Sequence, residues 1–193
     1  MISINNFSIN ITKNLHLEEK NIRHMYGCKN CGYSGMLHRH GHYDRNVVTL
    51  NSHFIISIQR FICPSCGKTY SLLPSFLIPY FIYSFDAVMS CLHAVFSLQK
   101  RTYVICQDLR NSNNQCFINI ESVSFFKKRF LSKVYLINSF FASFDSFHYD
   151  SNLVVLSKDS TASIIITKIF DFNINKSFNH EYFKRMPVYF LSP

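Results

Sequence analysis

At 193 residues, 48% of them hydrophobic and 16% charged, the chain is long enough for one medium domain or two small ones, and too apolar to be disordered. Its formal charge of +9, from 20 Lys and Arg against 11 Asp and Glu, suits a polyanionic partner, although a basic soluble protein with no nucleic-acid role fits charge alone equally well. Met1 to Lys20 shows no basic segment followed by an apolar one, so no secretory signal is expected; seven cysteines, with two CxxC pairs among them, then suit a reducing, cytoplasmic setting and metal binding better than a disulfide framework.

In chain order, residues 1–20 read as a leader, with one strand expected at Ile2 to Ile11. Residues 21–83 carry both cysteine pairs and most of the histidines. Between the pairs, Asn46 to Leu50 and Phe54 to Ile62 read as strands, rich in Val, Ile and Phe, with Asn51-Ser52 as the turn. The run Leu72 to Tyr80 contains Pro74 and Pro79, which favour an extended connector. Residues 84–145 read as helical. Ser84 is an N-cap candidate with Asp86 in the first turn, and Phe85, Val88, Leu92 and Val95 recur at helical spacing over 85–98. Thr102 to Leu109 reads as a short helix, followed by a turn cluster at Asn111 to Asn114. Asn119 can cap a third helix, whose apolar stripe runs through Val123, Phe126, Phe130, Val134, Ile137 and Phe141. Residues 146–193 are weakly patterned, with strands expected at Leu153 to Leu156 and Ser163 to Ile169. The fold class is therefore α+β: a small β zinc ribbon, then a helical domain resembling a helix-turn-helix. Leu72 to Leu98 is apolar enough to raise a membrane span, but Asp86 and the two prolines argue against one.

The chemistry sits in Cys28-Lys29-Asn30-Cys31-Gly32 and Cys63-Pro64-Ser65-Cys66-Gly67. Two residues between the cysteines of each pair allow a tight turn to aim both thiolates at one ion. A glycine directly after the second cysteine can take the left-handed conformation that closes the turn. Two such knuckles supply four sulfurs, the donor set of a structural zinc site with no open position for water. A redox CxxC wants one pair beside a βαβ pattern, which is not visible here. The 31 residues between Cys31 and Cys63 leave room for a hairpin and a loop. His38, His40, His42 and His53 lie in that interval. One of them can replace a cysteine or hold a second metal, or they are polar strand and loop residues near a basic surface, open to phosphate. Cys91 and Cys106 read as buried core thiols.

The basic residues are clustered. Seven lie between Lys20 and Lys68 against Asp44 alone, and seven more between Lys100 and Lys133 against Asp108 and Glu121. In the second cluster, the helix after Asn119 offers Ser122, Ser124, Lys127 and Lys128 as contacts if it enters a DNA groove; otherwise it is a packing element with solvated lysines. The exposed aromatics expected at Phe76, Tyr80, Phe81 and Tyr83 would instead suit a protein-docking surface.

The string His40-Gly41-His42-Tyr43-Asp44-Arg45, with the run Gln59 to Tyr80 around the second knuckle, resembles an uncharacterised zinc-ribbon family from Firmicutes. That family is itself similar to the N-terminal part of insertion-sequence transposases. The pattern is HGxYxR, an Arg three residues before the second knuckle, and a C-G-[RK]-T-[FYH]-x-x-L-P run after it, matched over roughly residues 25–83. The resemblance implies that Cys28, Cys31, Cys63 and Cys66 ligate one zinc ion, and that Arg45, Arg60 and Lys68 face DNA. Arg60 has a structural alternative, capping the ribbon or pairing with Asp44. The segment after the ribbon resembles, more loosely, the helix-turn-helix of such transposases. A transposase catalytic domain needs three carboxylates holding two metal ions. Only 48 residues follow Asp145, and Asp150, Asp159, Asp171 and Glu181 are scattered through them. The expectation is a DNA-binding, non-enzymatic module working alone or beside a separate transposase or other protein chain. The alternatives are a protein-interaction module and a truncated transposase or nuclease fragment.

Overall fold

The computed structural model describes residues 2–4, 27–74, 76–112, 116–142, 156–171, 182 and 191. Their order is β1 (Ile2–Ile4), β2 (His38–Val48), β3 (His53–Ile62), β4 (Thr69–Pro74), α1 (Phe85–Phe96), α2 (Thr102–Ser112), α3 (Ile120–Ala142) and α4 (Lys158–Asp171). A small sheet precedes the helices, so the fold is α+β. The chain divides into two compact units, one of Met1–Asn46 with Ile55–Ser75 and one of Val47–Phe54 with Phe76–Pro193.

In the first unit the sheet order is β1-β4-β3-β2. β2 and β3 are joined by a four-residue turn, which forces them antiparallel. Thr49 closes that turn by accepting from the Ser52 N–H at 2.9 Å. β3 pairs antiparallel with β4, setting Arg60 opposite Ser71 and Phe61 opposite Tyr70. β1 adds in parallel on the other edge of β4, Ile2 opposite Leu72. The rest of the strand expected at Ile2 to Ile11 lies outside the described residues. Burial along β3 changes face: Ile56 and Ile58 are buried on one side, and Phe61 on the other. Among the described residues, Phe61 joins Cys28, Leu37, Cys63, Tyr70 and Leu72 in one buried cluster of six.

β2 begins eight positions before the expected start at Asn46. Its first part has no apolar residues to alternate, so sequence periodicity is silent there. Leu72 to Pro74, expected as a connector, is the end of β4 and pairs in the sheet. The apolar stretch through Leu98 thus divides between a strand, a loop and a 12-residue helix. Among the described residues no helix is long and apolar enough to cross a membrane.

The second unit has the larger core. Ser84 caps α1 as expected, its hydroxyl accepting from the Ala87 N–H at 3.3 Å with Asp86 in the first turn. α2 runs on through Ser112, past the expected turn at Asn111. Asn119 caps α3, its Oδ1 accepting from the Ser122 N–H at 2.8 Å. The expected stripe of α3 is buried throughout: Val123, Phe126, Phe130, Val134 and Ile137 have no exposed surface, and Phe141 has little.

The expectation of strands after residue 146 is corrected at Ser163 to Ile169, which is helical within α4. The β-branched run Ser163-Ile164-Ile165-Ile166-Thr167 carries strand propensity locally. Packing overrides it, because α4 lies against both α1 and α3 and buries Ala162, Ile165, Ile166 and Ile169. Ser157 caps the helix, accepting from the Ser160 N–H at 3.2 Å. Two α4 hydroxyls bind the end of α1, Ser163 to the Phe96 carbonyl and Thr167 to Ser97, each at 2.9 Å. Of the strand expected at Leu153 to Leu156, only Leu156 is described, and it is in neither a strand nor a helix.

Candidate metal centre

The two knuckles fold alike because their sequences place the same groups at the same spacing. In the first, the Gly32 N–H donates to the Cys28 carbonyl at 2.9 Å and the Cys28 N–H donates to the Tyr33 carbonyl at 2.6 Å. In the second, Gly67 donates to Cys63 and Cys63 to Lys68, both at 2.9 Å. Gly32 and Gly67 close these turns with φ of 72° and 69°, where a side chain is strained. Each turn presents its two thiols inward.

The sheet then brings the knuckles together. The first knuckle precedes β2 and the second links β3 to β4, so the strand pairing sets both at one end of the ribbon. Cys28 Sγ lies 3.5 Å from Cys66 Sγ, and Cys31 Sγ lies 3.7 Å from Cys63 Sγ. All four sulfurs lie within 4.8 Å of one another. A tetrahedron of thiolates each about 2.3 Å from a central cation has edges of about 3.8 Å, so the four sulfurs fit one ion. They are unpaired thiols, well beyond disulfide length. Cys28 and Cys63 are buried, and Cys31 and Cys66 are exposed. Among the described residues this is the one cluster of His, Cys, Asp or Glu side chains close enough to hold a metal ion. His38, His40, His42 and His53 do not converge with it.

Two side chains outside the quartet touch its sulfurs. Tyr70 places its hydroxyl 3.0 Å from Cys28 Sγ, and Asn30 Nδ2 donates to Cys66 Sγ at 3.7 Å. Neither was singled out from sequence, although both lie in the knuckle strings, at the second intervening position and at the aromatic of the C-G-K-T-Y run. Their effect shows in the thiols. Burial pushes Cys28 up, but the Tyr70 hydroxyl, the backbone N–H groups of Cys31 and Asn30, and the Cys66 thiol bring it down to about 6. Cys31 moves the other way: a backbone hydrogen bond at Tyr33 lowers it, but burial and the thiols of Cys28, Cys66 and Cys63 hold it up at about 11. Tyr70, bonded to Cys28 and partly desolvated, is pushed up to about 12 and so stays a donor. Thiolates this close repel one another, and a bound cation would offset that repulsion.

Residues 28–106 match the model of DUF6431, a domain of unknown function. The match covers less than half of the chain. It starts on the first cysteine of the quartet, includes both knuckles and β2 to β4, and ends within α2. No curated protein and no solved structure matches the chain.

The sequence-nominated basic residues are placed separately. In the first unit, Lys68 is exposed in the second knuckle. Arg60 donates to Thr69 Oγ1 at 3.2 Å, binding β3 to β4 in place of the expected alternative partner Asp44. Arg45 is half-buried on β2, where burial lowers its guanidinium below its ordinary value and Tyr43 partly compensates. In the second unit, Lys128 is exposed, whereas Lys127 pairs with Asp159 at 3.4 Å and lies over the Phe96 ring. Ser122, expected as a base contact, is buried; its hydroxyl donates to Asn119 and meets the Tyr83 hydroxyl, each at 2.6 Å. Ser124 is exposed. Of the four aromatics expected to be exposed, Tyr80 is, at 73%, while Phe81 is buried and Phe76 and Tyr83 are half-buried. Cys91 and Cys106 are buried core thiols, both pushed up by burial, Cys91 to about 12.

Proposed function

We propose that the quartet holds one structural zinc ion, and that the chain is a zinc-dependent DNA-binding module related to the non-catalytic N-terminal part of a transposase. The observation that carries this reading is the convergence of four thiols from two distant knuckles. Four thiolates at tetrahedral spacing suit zinc, and four protein ligands leave no open position for chemistry, so the ion's work is to hold the ribbon together. Free thiols at this spacing also suit a reducing, cytoplasmic setting.

Two further observations support the DNA part. The described residues of the first unit carry Lys29, Arg39, Arg45, Arg60 and Lys68 against Asp44 as the one carboxylate. The likeness to transposase ribbons rests on the HGxYxR string and the C-G-K-T-Y run, both within the segment that matches DUF6431. A separate transposase chain is the natural protein partner under this reading.

Elemental analysis of the purified chain tests the first half: about one zinc per chain is expected, lost in Cys28→Ser and in Cys66→Ser. Absence of zinc from a folded wild-type chain would overturn it. Salt-titrated binding to duplex DNA tests the second: affinity is expected to fall steeply as salt rises. A flat salt response counts against DNA.

A further inference from the structure

The four sulfurs meet in pairs that cross from one knuckle to the other. Cys28 Sγ lies 3.5 Å from Cys66 Sγ, and Cys31 Sγ lies 3.7 Å from Cys63 Sγ. Each pair joins a buried thiol to an exposed one, Cys28 to Cys66 and Cys63 to Cys31. An oxidant in solvent therefore reaches one sulfur of each pair, and the other stands beside it inside the ribbon. A disulfide bond is about 2.05 Å long, so each pair is roughly 1.5 Å from bonding distance.

Loop size favours the same pairs. Cys28 and Cys66 are 38 positions apart, and Cys31 and Cys63 are 32 apart. A link across a loop of that length restricts the unfolded chain far more than one that spans only a CxxC turn. Crossed links also do the fixing that a shared ion would do. Both tie the first knuckle to the second, which in turn joins β3 to β4. Links within each knuckle would leave the knuckles unjoined.

We propose that a hydroperoxide converts the quartet into two crossed disulfides, Cys28–Cys66 and Cys31–Cys63, which hold the ribbon closed once the metal has been released. For its starting state this rests on the structural-zinc reading above. At each pair the exposed thiolate attacks a peroxide oxygen and the O–O bond breaks. With hydrogen peroxide, the sulfur becomes a sulfenic acid and the other oxygen leaves, with a proton, as water. The buried partner then attacks the sulfenic sulfur. The S–S bond forms and the sulfenic oxygen departs, with a second proton, as water. Two electrons pass from each sulfur pair to one peroxide, so the four thiolates consume two peroxides and four protons.

The test treats the full zinc-loaded chain with two equivalents of hydrogen peroxide, blocks the remaining thiols with an alkylating agent in denaturant, and maps tryptic peptides without reduction. Cleavage after Lys29 separates Cys28 from Cys31, while Cys63 and Cys66 stay together between Arg60 and Lys68. Crossed links give one assembly of peptides 24–29, 30–39 and 61–68, and fragmentation between Cys63 and Cys66 assigns each partner. Cys91, Cys106 and Cys116 are expected to be recovered alkylated. About one zinc should reach a chromophoric chelator for every two peroxides consumed. β3 and β4 should keep their amide protection in the oxidised chain, and dithiothreitol with zinc should restore the starting state. Links within the knuckles, Cys28–Cys31 and Cys63–Cys66, overturn the proposal. So do the pairs Cys28–Cys63 with Cys31–Cys66, links between chains, and sulfinic acids without disulfides. Crossed links in a chain whose β3 and β4 lose protection also overturn it, because the links then fail to hold the ribbon. A folded chain purified without zinc fails the zinc reading instead, and the peptide map of that chain still decides the pairing.

Discussion

The Tyr70 hydroxyl does more than fill space. At 3.0 Å from Cys28 Sγ, it is a donor to a buried thiolate that burial alone would neutralise. Losing a group that donates to a ligand typically costs about 10–100-fold in metal affinity. Tyr70→Phe keeps the ring in the small core and removes that donor. The variant is expected to fold with zinc, yet lose it to a chelator about 10–100-fold more readily than the wild type. Competition with a chromophoric chelator reads this directly, and an unchanged zinc affinity would show that the hydroxyl is a bystander. The four cysteines were legible because paired thiols at fixed spacing mean the same thing in any fold. Tyr70 and Asn30 were not, because one aromatic among many and one asparagine among many gain meaning only when a sheet and a knuckle set them against sulfur. Ser122 shows the converse error. A serine near a helix N-terminus reads equally as a DNA contact or as part of a cap, and here burial settles it within the cap.

At the scale of elements, caps and stripes translated well. Ser84 and Asn119 start α1 and α3 where the sequence places them, and the α3 stripe is the buried face. Asn119 carries more than its own bond, since its Oδ1 accepts from both the Ser122 N–H and the Ser122 hydroxyl. Asn119→Ala is expected to lower stability by about 1 kcal/mol, within the usual range for a lost N-cap. The change should appear as a lower urea midpoint with zinc content unaffected. An unchanged midpoint would mean that the cap is replaced by water at no cost. β2 and α4 were read poorly for opposite reasons. The early part of β2 has no apolar residues, so no period announces it. α4 has β-branched residues in series, so the wrong period does. Its true signal was Ser157 followed by Asp159, an N-cap with an anion in the first turn.

At the scale of the whole molecule, the two units differ in what holds them. The second buries Phe126, Phe130, Leu92, Ile166 and many more apolar side chains, enough for an independent core. Among the described residues of the first, the buried cluster around Phe61 has six members, and two of them, Cys28 and Cys63, belong to the metal quartet. Removing the ion leaves that cluster with Leu37, Phe61, Tyr70 and Leu72, beside knuckles that then carry repelling thiolates or protonated, unlinked thiols. Chelation at neutral pH is therefore expected to erase amide protection in β2 to β4 outside the hairpin tip, while α1 and α3 stay protected and the helical circular dichroism persists. Acid should do the same. Zinc needs thiolates, and protons compete for them. Loading should thus be retained at high pH and lost as pH falls, with more than one proton taken up per ion released. Hydrogen exchange followed along a chelator or pH series separates the alternatives. Loss of protection in the helices together with the strands would mean that the ion supports the whole chain, and strands that stay protected without metal would remove the reason for calling the site structural.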